Sequence, residues 1–152
     1  MNSSVVGGRW SVVGGRWSVV GNRKSEKMTP IKSAKELEVY EVSYDLAMRI
    51  FEIPKKFPME ERYALTSQIR RSSRSVPMNL REAWAKRRYE AHFVSKLTDC
   101  DGENSETDTS LDFALDCGYL TKEQHDELTS LNHSVGRMLG TMLRNPTTFL
   151  TK

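Results

Sequence analysis

The stretch QIRRSSRSVPMNLREAWAKRR, residues 68–88, carries seven Arg or Lys and a single acid, Glu82. A guanidinium presents a flat fork of donors that suits phosphate oxygens better than an ammonium does. At about 100° per residue, Arg70, Arg74, Arg81 and Arg88 project within about 40° of one another, opposite Leu65, Ile69 and Leu80. The row covers about 18 residues, or ~27 Å at ~1.5 Å of rise, enough to meet several phosphates of a nucleic acid. Arg71, Lys86 and Arg87 widen the basic zone. A second block, TDCDGENSETDTSLDFALD at 98–116, holds seven Asp or Glu and no base. Its Asp101, Asp108, Asp112 and Asp116 recur at i, i+7, i+11 and i+15. Two readings stay open: the arginine row binds a polyanion, or it is a solvated face or pairs with this acidic row, within one chain or between subunits.

Other chemistry has less to stand on. Di-metal sites in helical bundles use Glu-x-x-His pairs, and no such pair occurs; His92, His125 and His133 lack a carboxylate at that spacing. Asp99, Glu103 and Glu106 share a helix face, read as solvated or salt-bridged, since acid–base work would need an enclosing cleft. Walker, GxSxG and Rossmann glycine patterns are missing. Cys100 and Cys117 match no metal spacing and read as small buried apolar residues. The expectation is a protein without enzymatic activity, cofactor or metal.

The 152 residues suit one domain. The net charge of +3 is misleading. Residues 1–27 supply five bases and one acid; without them the 23 bases and 20 acids become 18 and 19. A polyanion site must therefore come from segregation of charge. No apolar run approaches the ~20 residues of a membrane span, and no secretory signal is recognisable, so the cytoplasm is the expected compartment.

Residues 1–32 form an extension expected to lack order, built on SVVGGRW at 4–10, repeated at 11–17 and decaying to SVVGNRK at 18–24. Paired glycines make a helix costly there; weak strand pairing and a basic-aromatic arm that stacks on bases are the alternatives. Met28 is a candidate alternative start. The folded part is placed at 33–146, with a C-terminal tail at 147–152. Helix one starts near Ser33, which with Glu36 has capping-box spacing; Val39, Val42, Leu46, Ile50 and Ile53 follow. Tyr40, Tyr44, Ala47 and Phe51 form a second row, and Pro54 and Pro58 close the helix. Helix two opens at Pro58 and holds Leu65, Ile69, Val76, Leu80 and Ala83 in phase through Pro77, which favours one kinked helix over two short ones. Helix three runs from about Arg88 or Tyr89 to Cys117 on Phe93, Leu97, Cys100, Leu111 and Leu115. Between Cys100 and Leu111 no large apolar residue appears, and a polar loop around Gly102 is possible. Gly118 suits a C-terminal cap. Helix four has a capping box, Thr121–Gln124, and the stripe Leu128, Leu131, Val135, Met138 and Met142; Pro146 ends it. The fold class is all-α, an up-and-down antiparallel four-helix bundle.

YALTSQIRRSSRSVPMNLREA, DGENSE and GRMLGTML resemble the four-helix-bundle proteins encoded in intervening sequences of bacterial large-subunit ribosomal RNA genes. That family includes the accessory variability protein of diversity-generating retroelements. The likeness covers about residues 38–146 and rests on Leu65, Thr66, Gln68, Ile69, Arg70, Arg71, Ser75, Val76, Asn79, Leu80 and Glu82. Ala83 stands where the family has Gly, and the family's Ala-Gly-Ser-x-x-Glu is blurred to Asp101, Gly102, Glu103 and Glu106. The resemblance implies that Pro77 and Gly102 lie inside long helices and that the chain forms a ring-shaped homopentamer. It also implies, from the retroelement members, a basic surface that binds nucleic acid (RNA or DNA) and a reverse transcriptase. The expected nucleic-acid contacts are Arg70, Arg71, Arg74, Arg81, Arg87 and Arg88, of which Arg70 and Arg71 match the family motif.

Overall fold

A computed structural model describes residues 9–13, 16–20 and 30–152. Four helices carry the fold: α1 (Glu38–Glu52), α2 (Leu65–Lys86), α3 (Glu90–Asp116) and α4 (Lys122–Arg144). Each packs on its neighbours in sequence, and α4 closes against α1. The three-residue link between α2 and α3 leaves room only for an antiparallel reversal. No described helix is long and apolar enough to cross a membrane.

The starts of the first two helices differ from expectation. Ser33 Oγ accepts from Lys35 N, and the Glu36 carboxylate accepts from Lys32 N rather than from Ser33. These bonds close only a 3₁₀ turn, Ala34–Glu36, and α1 begins after an extended Leu37. Pro58 likewise opens a 3₁₀ turn, Met59–Glu61, before α2 starts at Leu65. Glu61 Oε2 accepts from Leu65 N, satisfying one of the orphan donors of the first turn of α2.

Pro77 lies inside α2, which runs through it unbroken. Ser72, Ser73 and Ser75 donate to the carbonyls of Ile69, Arg70 and Arg71, a back-bonding that helps a helix bend. At the end of α3, Gly118 takes φ 77°. Its N–H meets Leu115 O while Tyr119 N–H meets Ala114 O, the two bonds of a Schellman cap. The α4 capping box is complete: Thr121 Oγ1 accepts from Gln124 N, and Gln124 Oε1 accepts from Thr121 N.

The core has two apolar halves with a polar storey between them. One half gathers Val76, Leu80, Phe93, Leu97, Val135 and Leu139; the other gathers Leu46, Ile50, Ile69, Leu111 and Leu128. Between Cys100 and Leu111 the buried positions are Asn104, Thr107 and Ser110. Asn104 Nδ2 donates to Asn132 O and Asn132 Nδ2 donates to Asn104 O, each at 3.1 Å. Thr107 Oγ1 lies 2.8 Å from Ser72 Oγ. The segment that could have been a polar loop is therefore helix, because its short polar groups find partners on α2 and α4.

Gly102 sits exposed on α3, and a Cβ there would meet nothing within 4 Å. Gly102→Ala should raise stability by about 1 kcal/mol, whereas Gly118→Ala should lower it by about 1 kcal/mol because of the left-handed backbone. Denaturant midpoints of the two variants should move in opposite directions.

Both chain ends depart from the expected division. Val13 pairs with Arg16 and Arg9 with Val20 in an antiparallel hairpin, β1 (Arg9–Val13) with β2 (Arg16–Val20). The weak strand pairing considered as an alternative thus occurs in these two segments, where Trp-Ser-Val-Val has strong β propensity. The rest of the extension up to residue 29 lies outside the described residues. The expected tail past Pro146 contains a 3₁₀ turn, Pro146–Phe149, whose Phe149 is buried with its ring 6.0 Å from that of Phe93. Phe149 belongs to the core because a large apolar ring so near the bundle end gains more by burial than by exposure.

The two cysteines separate. Cys100 is fully buried, its Sγ 3.6 Å from Val76 O, and burial pushes its thiol up to about 12. Cys117 is exposed at the end of α3, against the expectation that both are buried. One thiol, Cys117, should therefore react with a disulfide reagent in the native chain, and two after denaturation.

Candidate nucleic-acid interface

The six arginines expected to meet a polyanion fall into different settings. Arg70, Arg74 and Arg81 lie on α2; Arg87 caps its C-terminus and Arg88 lies in the turn before α3. The four-residue helical row is thus a three-residue one, spanning ~17 Å at ~1.5 Å per residue. The helix stops there because Tyr89, the N-cap just before α3, is extended.

Arg70 is anchored. Its Nη2 donates to Phe51 O at 2.7 Å in the last turn of α1, and its guanidinium lies 4.7 Å from the Phe51 ring centre. A cation at that end also faces the negative pole of the α1 dipole. Arg74 sits 5.3 Å from the same ring, exposed. Arg81 Nη1 donates to Ser33 Oγ at 2.9 Å and is exposed. Among the described residues none of these three pairs with a carboxylate within 4 Å.

Arg71 points the other way, toward α3. It donates to Glu103 Oε1 at 3.0 Å and to Glu106 Oε2 at 2.7 Å, and these carboxylates raise its pKa above the usual guanidinium value, Glu106 contributing most. Expected beside the row as one of the nucleic-acid contacts, it is instead turned to α3, where Glu103 and Glu106 are occupied as its partners. Lys86, expected to widen the basic zone, is held by Glu82, which also takes Lys96; Lys96 in turn reaches Asp99. Arg87 donates to Trp84 O at 2.7 Å and stacks 4.1 Å from the Trp84 ring; desolvation lowers its pKa. Arg88 is exposed, 5.8 Å from the Tyr89 ring.

Among the described residues, the Asp row of α3 meets no arginine of its own chain. Asp108 lies 3.2 Å from His133 Nε2 and Asp112 2.8 Å from His125 Nε2, both on α4. Asp101 and Asp116 are exposed and make no ion pair among the described residues. Within the chain, α3 turns Asp108 and Asp112 toward α4 and only Glu103 and Glu106 toward α2, so the alternative of an arginine row paired with the Asp row of the same chain does not hold among the described residues.

The aromatic row of α1 was seen in the sequence only as a widening of the apolar face. It flanks the same groove as the arginines. Tyr40 and Tyr44 stack with ring centres 6.0 Å apart, and Tyr44 is 53% exposed. Phe51, two turns further on the same side, receives both Arg70 and Arg74. The α1–α2 groove therefore interleaves cations and rings.

A four-helix bundle with a basic, aromatic groove between its first two helices is the class that fold and site define. The chain belongs to the 23S rRNA-intervening sequence protein family, whose family model matches residues 35–141. It is also similar to a crystal structure of a protein of unknown function from the S23 ribosomal protein family of Bacteroides thetaiotaomicron VPI-5482. That likeness has a TM-score of 0.64 at 27% identity and covers 70% of this chain and 96% of the other. No curated protein matches the chain.

Proposed function

We propose that the protein is a non-catalytic nucleic-acid-binding bundle that works as a ring-shaped homopentamer. The observation that carries this reading is that Arg74 and Arg81 are exposed on one face of α2 with no carboxylate partner among the described residues, beside an Arg70 held by Phe51 O. Guanidinium groups so placed attract phosphates over a distance set by salt. A reverse transcriptase, the protein partner that the family resemblance suggests, would be recruited by a nucleic acid held on this face. The test uses the full chain with Arg9, Arg16, Arg23, Lys24 and Lys27 changed to Gln, so that residues 1–27 carry no basic side chain. This protein should still bind RNA or DNA at low salt and release it as salt rises; absence of binding at low salt would remove the reading.

A second reading has its own support. Tyr63 and Phe113 are 85% and 59% exposed on either side of a groove between α2 and α3 that Gln68, Glu106 and Cys117 also line. Apolar surface of this kind marks contact sites, and the unpaired Asp101 and Asp116 could receive arginines of a neighbouring subunit. On this reading the molecule is a structural or protein-interaction oligomer, and its charged faces serve assembly.

A further inference from the structure

The α1–α2 groove specifies more than a polyanion. Its cations lie beside aromatic rings, and both follow one line. Arg70 and Arg74 flank Phe51 at the C-terminal end of α1; Arg81 reaches Ser33 just before the N-terminal end. Between these limits stand Tyr44, half exposed, and Tyr40, stacked on it and packed against the core. Tyr44 and Phe51 are seven residues apart, as are Arg74 and Arg81, so rings and cations advance in parallel by ~10 Å at ~1.5 Å per residue.

We infer that this groove takes single-stranded nucleic acid, with a base stacked on Tyr44 and phosphates at Arg74 and Arg81. This rests on the nucleic-acid reading above and narrows it. The two classes of strand make different demands. Every base has a face to stack, but in a duplex those faces are already occupied by neighbouring bases, and only an unpaired base can lie on a side-chain ring. A duplex could still use the arginines, since they need only phosphates. The neighbouring row of α1 adds a smaller penalty: Glu41, Asp45 and Glu52 are exposed on the side of the rings away from α2, but Asp45 is paired with Arg49 and Glu52 with Lys55, which leaves Glu41 without an ion pair among the described residues. A single strand can follow the groove without crossing that row; a wide duplex brings its second backbone over it. Phe51 is not the stacking platform, because the two guanidiniums already lie over its ring. Its part is to hold Arg70 and Arg74 in place, which leaves Tyr44 as the open ring.

The experiment measures affinity of the full chain, with the five bases of residues 1–27 changed to Gln, for a labelled oligonucleotide and for the blunt duplex of the same sequence. Tyr44→Leu, Tyr44→Phe and the pair Arg74→Gln, Arg81→Gln are compared in that background. The single strand should bind at least about fivefold tighter than the duplex. Tyr44→Leu should weaken the single strand about tenfold and leave the duplex unchanged, as expected for the loss of one stacked base; Tyr44→Phe, which keeps the ring, should restore binding. Equal affinity for both forms, or a Tyr44→Leu protein that binds the single strand as tightly as the parent, overturns the inference while leaving the nucleic-acid reading intact. Binding that survives the double arginine change undiminished overturns the placement of the strand on the α2 face, and absence of binding to either form at low salt overturns the nucleic-acid reading itself.

Discussion

Reversal of Arg74 and Arg81 to glutamate should lower nucleic-acid affinity by about a hundredfold at low salt, with helix content and assembly unchanged. Each reversal removes a phosphate contact and adds a repelling charge, and a contact of this type is worth on the order of 1–2 kcal/mol when salt is low. Neither side chain supports the fold through a carboxylate: Arg74 touches the Phe51 ring and Arg81 touches Ser33 Oγ. The structural reading expects the opposite pattern. If these arginines meet the acidic row of a neighbouring subunit, the reversed protein should elute as a smaller species in sizing experiments. Arg71 is the contrasting position, because its charge is already matched by Glu103 and Glu106 on α3. Arg71→Gln should therefore cost little affinity.

Asn132→Ala should destabilise the bundle by about 2–3 kcal/mol, a large effect for a polar residue. The side chain is 1% exposed and bonds Asn104 O across the α3–α4 interface, while Asn104 returns the bond to Asn132 O. Truncation removes one buried hydrogen bond and leaves a void between two tightly packed helices. Gly136 makes room for this clasp, since a Cβ there would lie 3.2 Å from Asn104 Nδ2. Because the clasp forms in one alignment of α3 and α4, Asn104→Ala and Asn132→Ala together should cost less than the sum of the two singles. Urea unfolding of the three variants measures this; additive losses would mean that the asparagines act separately.

Much of the fold was legible because its helices announce themselves by period. The stripes of α1 and α4, the capping box at Thr121, and the phase of α2 carried through Pro77 all stand in the structure as their spacing implies. The middle of α3 was not legible by the same means. Its buried positions are Asn104, Thr107 and Ser110, of which Asn104 and Thr107 satisfy hydrogen bonds instead of displacing water by bulk, and a search for apolar spacing passes over them. The candidate site was read in part. Helical projection placed Arg70, Arg74 and Arg81 on one face, but it could not end α2 at Lys86, where the extended Tyr89 forces a turn. Nor could it show that Arg71 lies on the α3 side, since that depends on which helix packs against which flank. Tyr44 had a signal, its seven-residue spacing from Phe51, yet its meaning required knowing that α2 brings arginines beside it.

The most direct test of the account is the salt dependence of binding, measured on the full chain with its extension bases changed to Gln. Log affinity for a single-stranded oligonucleotide should fall linearly with log salt, and changing both Arg74 and Arg81 to Gln should make the slope shallower by about 1.5, close to the loss of two phosphate contacts. A slope that stays the same after both arginines are gone would show that phosphates meet the protein elsewhere, and would contradict the assignment of the α2 face as the binding surface.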